Sequence, residues 1–221
     1  MLLIELPETE YSRVMVMQER LVQQKLQSGG PDVLFVLEHP PTITLGKRAR
    51  HEDLKISPER LARMGLAVQL TDRGGEATYH GPGQIVCYPV MDLKRLRLRI
   101  RDFVHGLEET VIRTLACFGV QGFRQEKKIG VWTAPLDKIA SIGVRVTRRV
   151  TSHGFSLNVN LRVDPADLIV VCGMPEVRMV SLSECLDRHP DVGQVKRVLF
   201  ESFSDVFGVV LEPSLLPASA T

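Results

Sequence analysis

The order and pattern of segments in this chain predict an α+β fold, a mixed β-sheet flanked by helices. Strand-like and helix-like segments follow one another without the strict βαβ alternation that an all-parallel sheet requires. The stretch over residues 120–159 is almost wholly strand-like. Helical stretches with an apolar face stand near the start, the middle and the end of the chain, each able to cover a sheet.

Residues 2–6 are apolar but for one glutamate and read as a short strand. Residues 9–28 read as a helix, with Val14, Met17, Leu21 and Val22 on one face and Gly29-Gly30-Pro31 as its stop. The run at 33–38 is apolar up to its closing glutamate, which suits a strand buried on both faces. His39-Pro40-Pro41 interrupts it, and residues 42–45 resume as extended chain. Ser57-Pro58-Glu59 is a helix start: a capping hydroxyl, proline at the first helical position, an acid in the first turn. Gly65 ends that helix. Residues 66–70 and 84–90 read as strands around a glycine-rich loop, and 101–118 as an amphipathic helix ending at Gly119. Strands follow at 120–123, 129–133, 138–146 and 151–159, then a helix at 193–207 and a last strand at 209–211. No repeat, low-complexity tract or linker divides the chain, so one domain over residues 1–221 is expected.

Composition narrows the function classes. The chain of 221 residues is 44% hydrophobic and 24% charged, ordinary for a globular protein. A net charge of +2 and only 5% aromatics give no footprint for nucleic acid. No apolar run approaches the length of a membrane span, and the N-terminus lacks a basic and apolar leader, so a cytoplasmic protein is expected. Cys87, Cys117, Cys172 and Cys185 show no CxxC or other ligand spacing. In a reducing compartment each is a small buried hydrophobe or a reactive thiol. Cys87 and Cys117, inside a strand and a helix, fit the first description.

Four segments can carry chemistry. The first is Arg73-Gly74-Gly75-Glu76-Ala77-Thr78-Tyr79-His80-Gly81-Pro82-Gly83-Gln84, with four glycines, an arginine and a histidine. Glycine serves where φ is positive or a ligand must approach the backbone. The loop is longer than a hairpin needs, so it is either functional or an elaborate turn. Its glycine spacing is neither a dinucleotide fingerprint nor a phosphate loop. The second is Asp137-Lys138-Ile139-Ala140-Ser141-Ile142-Gly143, where a lysine opens an apolar strand. By itself that lysine reads as one snorkelling to water at a sheet end. In the third, Ser152-His153-Gly154-Phe155-Ser156-Leu157-Asn158-Val159-Asn160, polar residues alternate with apolar ones. The fourth, Ile169-Val170-Val171-Cys172-Gly173-Met174-Pro175, puts a cysteine where the chain turns. A lone cysteine there is more often inert than nucleophilic.

Together, in this order and spacing, the four segments resemble the octanoyl (lipoyl) transferase family of lipoate biosynthesis. The resemblance runs from about residue 38 to about residue 182 and is carried most specifically by Arg73 to Gln84. Val171 stands where proline is frequent in that family, and Ser156 where alanine is. The resemblance implies a fold similar to the catalytic domain of biotin and lipoate protein ligases, with a core at about residues 30–210. It implies Cys172 as the acyl-thioester nucleophile and Lys138 beside it, favouring the thiolate and moving protons. It places Arg73, Gly74, Gly75, Glu76, Ala77, Thr78, Tyr79 and His80, with Ser141, Ile142, Gly143, Gly154, Phe155 and Ser156, along the acyl and thioester site. His80 is expected there as an extra donor to the oxyanion.

The implied reaction moves octanoyl, or lipoyl, from an acyl carrier protein thioester to a lysine amine. The acceptors would be lipoyl domains of 2-oxoacid dehydrogenase complexes and the glycine cleavage H protein. A thioester donor is already activated, so neither ATP nor a metal is expected, and covalent catalysis lets the two partners visit in turn. The basic run Lys94, Arg95, Arg97, Arg99, Arg101 reads equally as a docking face for an acidic carrier and as a solvated stretch before a helix. Two rivals stand beside this reading: an ATP-dependent lipoate or biotin ligase of the same fold, and a non-catalytic protein that binds carriers or lipoyl domains.

Overall fold

A computed structural model describes residues 1–161 and 163–216. In chain order the elements are β1 (Leu2–Glu5), α1 (Tyr11–Ser28), β2 (Val33–Leu37), β3 (Thr42–Leu45), α2 (Pro58–Arg63), β4 (Ala67–Leu70), β5 (Ala77–His80) and β6 (Gln84–Val90). They continue with α3 (Ile100–Cys117), β7 (Phe123–Gln125), β8 (Lys128–Ala134), β9 (Asp137–Thr147), β10 (Val150–Asn158), β11 (Arg178–Met179), α4 (Leu182–Leu186), α5 (Val192–Phe207) and β12 (Glu212–Pro213). The large sheet runs β12-β1-β2-β6-β10-β9-β8-β7, with β11 beside β9. Its β1–β2 pair is parallel and β2–β6, β6–β10, β10–β9 and β9–β8 are antiparallel, the mixed sheet expected.

Helices cover both faces. Strand β2 shows why its sequence is continuously apolar: Leu34 and Val36 face the cluster under α3 and α5, while Val33, Phe35 and Leu37 face the cluster under α1. The stripe Phe103, Leu107, Val111 and Leu115 of α3 meets Val195, Leu199 and Phe203 of α5. Each such side chain contributes about 1.5–3 kcal/mol through burial. Cys117 lies off that stripe at the helix end and is exposed, contrary to the expectation of a buried thiol. Cys87 is buried as expected, and burial pushes its thiol pKa well up.

A second sheet, β4-β3-β5, departs from expectation. The glycine-rich stretch was expected as one loop, yet its centre is strand β5, paired antiparallel with β3. Pro40 and Pro41 have no N–H to give a ladder. The chain therefore leaves the large sheet there, and β3 joins β5 and β4 instead of extending β2.

One irregularity interrupts the large sheet. Pro89 stands inside β6, a central strand, where it cannot donate. The β6–β10 register ends at Cys87 opposite Phe155, and the two chains meet again where Thr151 N–H donates to Met91 O at 2.9 Å. Between them the ladder opens without a change of register, since Val150 stands opposite Asp92 just as Phe155 stands opposite Cys87. His153 takes a left-handed φ of 57°, and its freed N–H donates to Gln18 Oε1 of α1 at 2.6 Å. Gly154 fits only without a side chain, since a Cβ there would stand 2.1 Å from Cys87 O.

Candidate active site

A cavity of about 390 Å³ opens where β10, β9, β5 and the turn carrying Cys172 meet. Arg73, Gly74, Gly75, Glu76, Ala77, Thr78 and His80 line it, with Lys138, Ser141, Ile142, Gly143, Gly154, Phe155, Ser156 and Cys172. Of the expected site residues only Tyr79 is not on its wall. Alternation along β5 sends Tyr79 into the apolar cluster beneath the small sheet, while Thr78 and His80 face the cavity.

Lys138 is 2% exposed, so it does not snorkel. Its Nζ donates to Ile129 O at 2.9 Å and to Cys172 Sγ at 3.0 Å, and stands 5.1 Å from the centre of the Trp132 ring. No carboxylate pairs with it among the described residues. Gly130, at φ +130°, makes the room: a Cβ there would lie 2.5 Å from Lys138 Cε. Cys172 sits in the short turn Val171–Gly173 with φ 53° and ψ 28°, a left-handed conformation that costs a non-glycine residue about 1–3 kcal/mol. The turn is held from below, where Val170 N–H donates to Asp53 O at 2.8 Å and Val171 is buried in the apolar cluster. Valine in place of proline therefore leaves the sulfur in reach of Lys138.

Arg73 lines the cavity but is committed elsewhere. Its guanidinium donates to Thr44 Oγ1 at 3.1 and 2.8 Å, Thr44 O at 2.7 Å, Glu76 O at 2.8 Å and Gly74 O at 3.1 Å. It clamps the glycine loop onto β3, and burial pushes its pKa down. Ser141 Oγ is buried and, among the described residues, has no hydrogen-bond partner.

Behind β5 lies a polar and aromatic cluster that the sequence did not announce: Tyr11, His39, Tyr88 and His153 around His80. Tyr11 stacks on His80 with ring centres 5.8 Å apart, and His39 meets His80 edge-on at 5.5 Å. His39 Nδ1 faces the carbonyl of Thr9 at 2.6 Å and must donate, so Nε2 accepts from the Tyr88 hydroxyl at 2.9 Å. His153 Nε2 stands 2.8 Å from the Asp72 carboxylate and Nδ1 3.3 Å from the Tyr11 hydroxyl. Burial keeps all three histidines neutral by lowering their pKa values, that of His39 to about 4. Each of these residues alone reads as a core aromatic, and nothing in the local sequence joins them. Arg48, Ile100, Val104, Lys127, Lys128, Ile129, Val144 and Met174 also line the cavity without having been singled out. Of these, Ile100, Val104, Lys127, Lys128 and Ile129 are shared with an adjoining groove that also includes Arg101 and Arg124. Arg95, in the same basic run as Arg101, is instead tied to Asp32.

The lipoyl protein ligase A/B catalytic domain family matches residues 10–204. The octanoyltransferase of Syntrophobacter fumaroxidans is 42% identical over 195 residues, 88% of this chain and 85% of that one. That of Desulfotalea psychrophila is 39% identical over 208 residues, 93% of each. In fold the chain is similar to a bipartite lipoate protein ligase from Thermoplasma acidophilum, at a TM-score of 0.79 and 16% identity, covering 99% of this chain and 88% of that one. It is similar also to a biotin protein ligase from Aquifex aeolicus, at a TM-score of 0.58 and 15% identity, covering 93% and 70%. The chain belongs to the lipoyl protein ligase A/B catalytic domain family, and within it to the octanoyltransferases.

Proposed function

We propose that this acyltransferase moves octanoyl, or lipoyl, from a carrier-protein thioester to a lysine amine of a lipoyl domain, by way of a thioester on Cys172. The observation that carries the reading is the Lys138–Cys172 pair: a buried lysine with a sulfur 3.0 Å from its nitrogen and no carboxylate partner among the described residues. A buried ammonium needs an anion, and the thiolate is the group positioned to be one.

The proton count closes on these two residues. The thiolate attacks the thioester carbonyl, and the carrier sulfur leaves with a proton from Lys138. Lys138 is then neutral beside an uncharged acyl-cysteine. The acceptor lysine sheds its ammonium proton to water on entry. As its nitrogen bonds to the acyl carbon, Lys138 takes the second proton and Cys172 leaves as thiolate. The spare hydroxyl of Ser141 is a donor available to the oxyanion of either step. Ile142, Val144, Phe155 and Met174 offer apolar wall to the chain, each buried methylene contributing about 0.8 kcal/mol.

Neither ATP nor a metal has a place in this cycle, because the donor arrives activated. Among the described residues no group of three or more His, Cys, Asp or Glu is arranged to hold a metal ion. The test is transfer from octanoyl-carrier to a lipoyl domain in the presence of a chelator, with and without ATP. The expected result is equal transfer in both. Transfer only with free octanoate and ATP would make the chain a ligase. No helix among the described residues is long and apolar enough to cross a membrane.

A further inference from the structure

The orientation of His80 is fixed through a chain of side chains anchored at both ends on backbone carbonyls. Val180 O can only accept, so the group facing it at 3.0 Å is the Asn158 amide nitrogen. Asn158 therefore turns its oxygen to Gln84, whose Nε2 donates to it at 2.8 Å. The same Gln84 nitrogen donates to Tyr79 O at 3.2 Å, which fixes the amide a second time. Gln84 is left with its oxygen toward His80, 2.7 Å from Nδ1, so Nδ1 carries the hydrogen. His80 lines the cavity, and no group among the described residues hydrogen-bonds its Nε2. Burial and the neighbouring His39 hold the ring neutral. Nε2 is thus a bare lone pair turned to the reaction space, an acceptor rather than the oxyanion donor expected from the sequence. A lone pair there would repel an oxyanion.

The other ring, phenol and carboxylate groups on the cavity wall do not duplicate it. Tyr11 and Tyr88 direct their hydroxyls to His153 and His39. Both nitrogens of His153 are engaged. The Glu76 carboxylate accepts from Arg48 Nε at 2.8 Å, beside solvent.

We propose that His80 Nε2 accepts a hydrogen bond from the attacking amine of the acceptor lysine and aims the nitrogen lone pair at the acyl carbonyl. His80 then serves the second half of the reaction and not the first. The distinction is chemical: an amine attacks with N–H bonds still in place, whereas a thiolate has no hydrogen to offer the ring. This inference rests on the acyl-cysteine reading.

The test loads the enzyme with octanoyl and then follows one turnover, with a lipoyl-domain lysine in one arm and a small thiol in the other. In His80→Met, loading of Cys172 and return of the acyl group to the thiol should stay near the parent rates. Transfer to the amine should fall by roughly a hundredfold, the cost of a misaimed nucleophile. His80→Gln can place an amide oxygen near Nε2 and should recover part of that loss. Equal losses with thiol and amine, slowed loading, or no difference between Met and Gln would overturn the proposal. A parent enzyme that never carries octanoyl on Cys172 would instead remove the reading beneath it, and mass measurement before the second step tells the two failures apart.

Discussion

At Cys172 the backbone is in a left-handed conformation and the sulfur meets a lysine that would otherwise be a buried, unpaired charge. Lys138 shows how far one residue can be read from sequence. As a lysine at the head of an apolar strand it looks like a surface group, and only the joint pattern with Cys172 and the glycine loop marks it out. The structure separates the two descriptions, because a lysine 2% exposed cannot be reaching for water. Lys138→Met keeps the alkyl stem and removes the proposed proton carrier. A surface role predicts a loss well under about 1 kcal/mol in any measure. The pairing with Cys172 predicts transfer slowed by about a hundredfold to ten-thousandfold, with slower alkylation of Cys172 at neutral pH and an unchanged fold. Side-chain direction was less legible. Tyr79 sits in the same motif as His80 but faces the core, and the strand that sets its direction is hidden among glycines.

Among the elements, prolines and glycines of the sheet decide where the cavity-lining side chains go. Pro89 interrupts the β6–β10 ladder, and in the gap opposite it the left-handed backbone of His153 leaves His153 and Gly154 on the cavity wall. Gly130 in β8 leaves the channel through which Lys138 crosses to the sulfur. Gly130→Ala puts a methyl 2.5 Å from Lys138 Cε and 2.7 Å from Ala140 O, on a backbone with φ +130°. It should lower transfer by about tenfold or more and destabilise by about 1–3 kcal/mol. Assays of transfer beside a urea melt check both. By contrast Gly65→Ala, with nothing within 4 Å of the added carbon, should leave transfer untouched and bear only the backbone strain of its φ of +78°. The long elements α1, α3, β9, β10 and α5 were legible from their apolar patterning, and β2 from its unbroken apolar run. In the small sheet β3 and β4 were legible as extended segments, but β5 was not, since its four residues lie inside the glycine-rich stretch.

Across the whole molecule, the mixed sheet with helices on both faces follows from the order of elements and from strands apolar on both sides. The polar cluster behind β5 does not, because Tyr11, His39, Tyr88 and His153 come from four separate elements or loops. That cluster nevertheless affects global stability. His39 is neutral in the folded protein, with its pKa pushed down from 6.5 to about 4, and regains the ordinary value on unfolding. Between those two values the unfolded chain binds more protons than the native one, so stability rises with pH through the window and is lost as pH falls through it. The contribution is on the order of 3 kcal/mol, and burial of His80 and His153 acts in the same direction. Urea midpoints measured from pH 7 down to pH 4 should fall, and His39→Asn, which can still donate to Thr9 O, should flatten the decline without abolishing it.

Whether an acyl group rests on Cys172 between the two partners is read from the mass of the protein after incubation with octanoyl-carrier alone. One octanoyl adduct is expected, released by hydroxylamine, mapped to Cys172, absent in Cys172→Ser and retained in Cys87→Ser, Cys117→Ser and Cys185→Ser. An adduct on any of the other three cysteines, or rapid transfer to a lipoyl domain by Cys172→Ser, would contradict it.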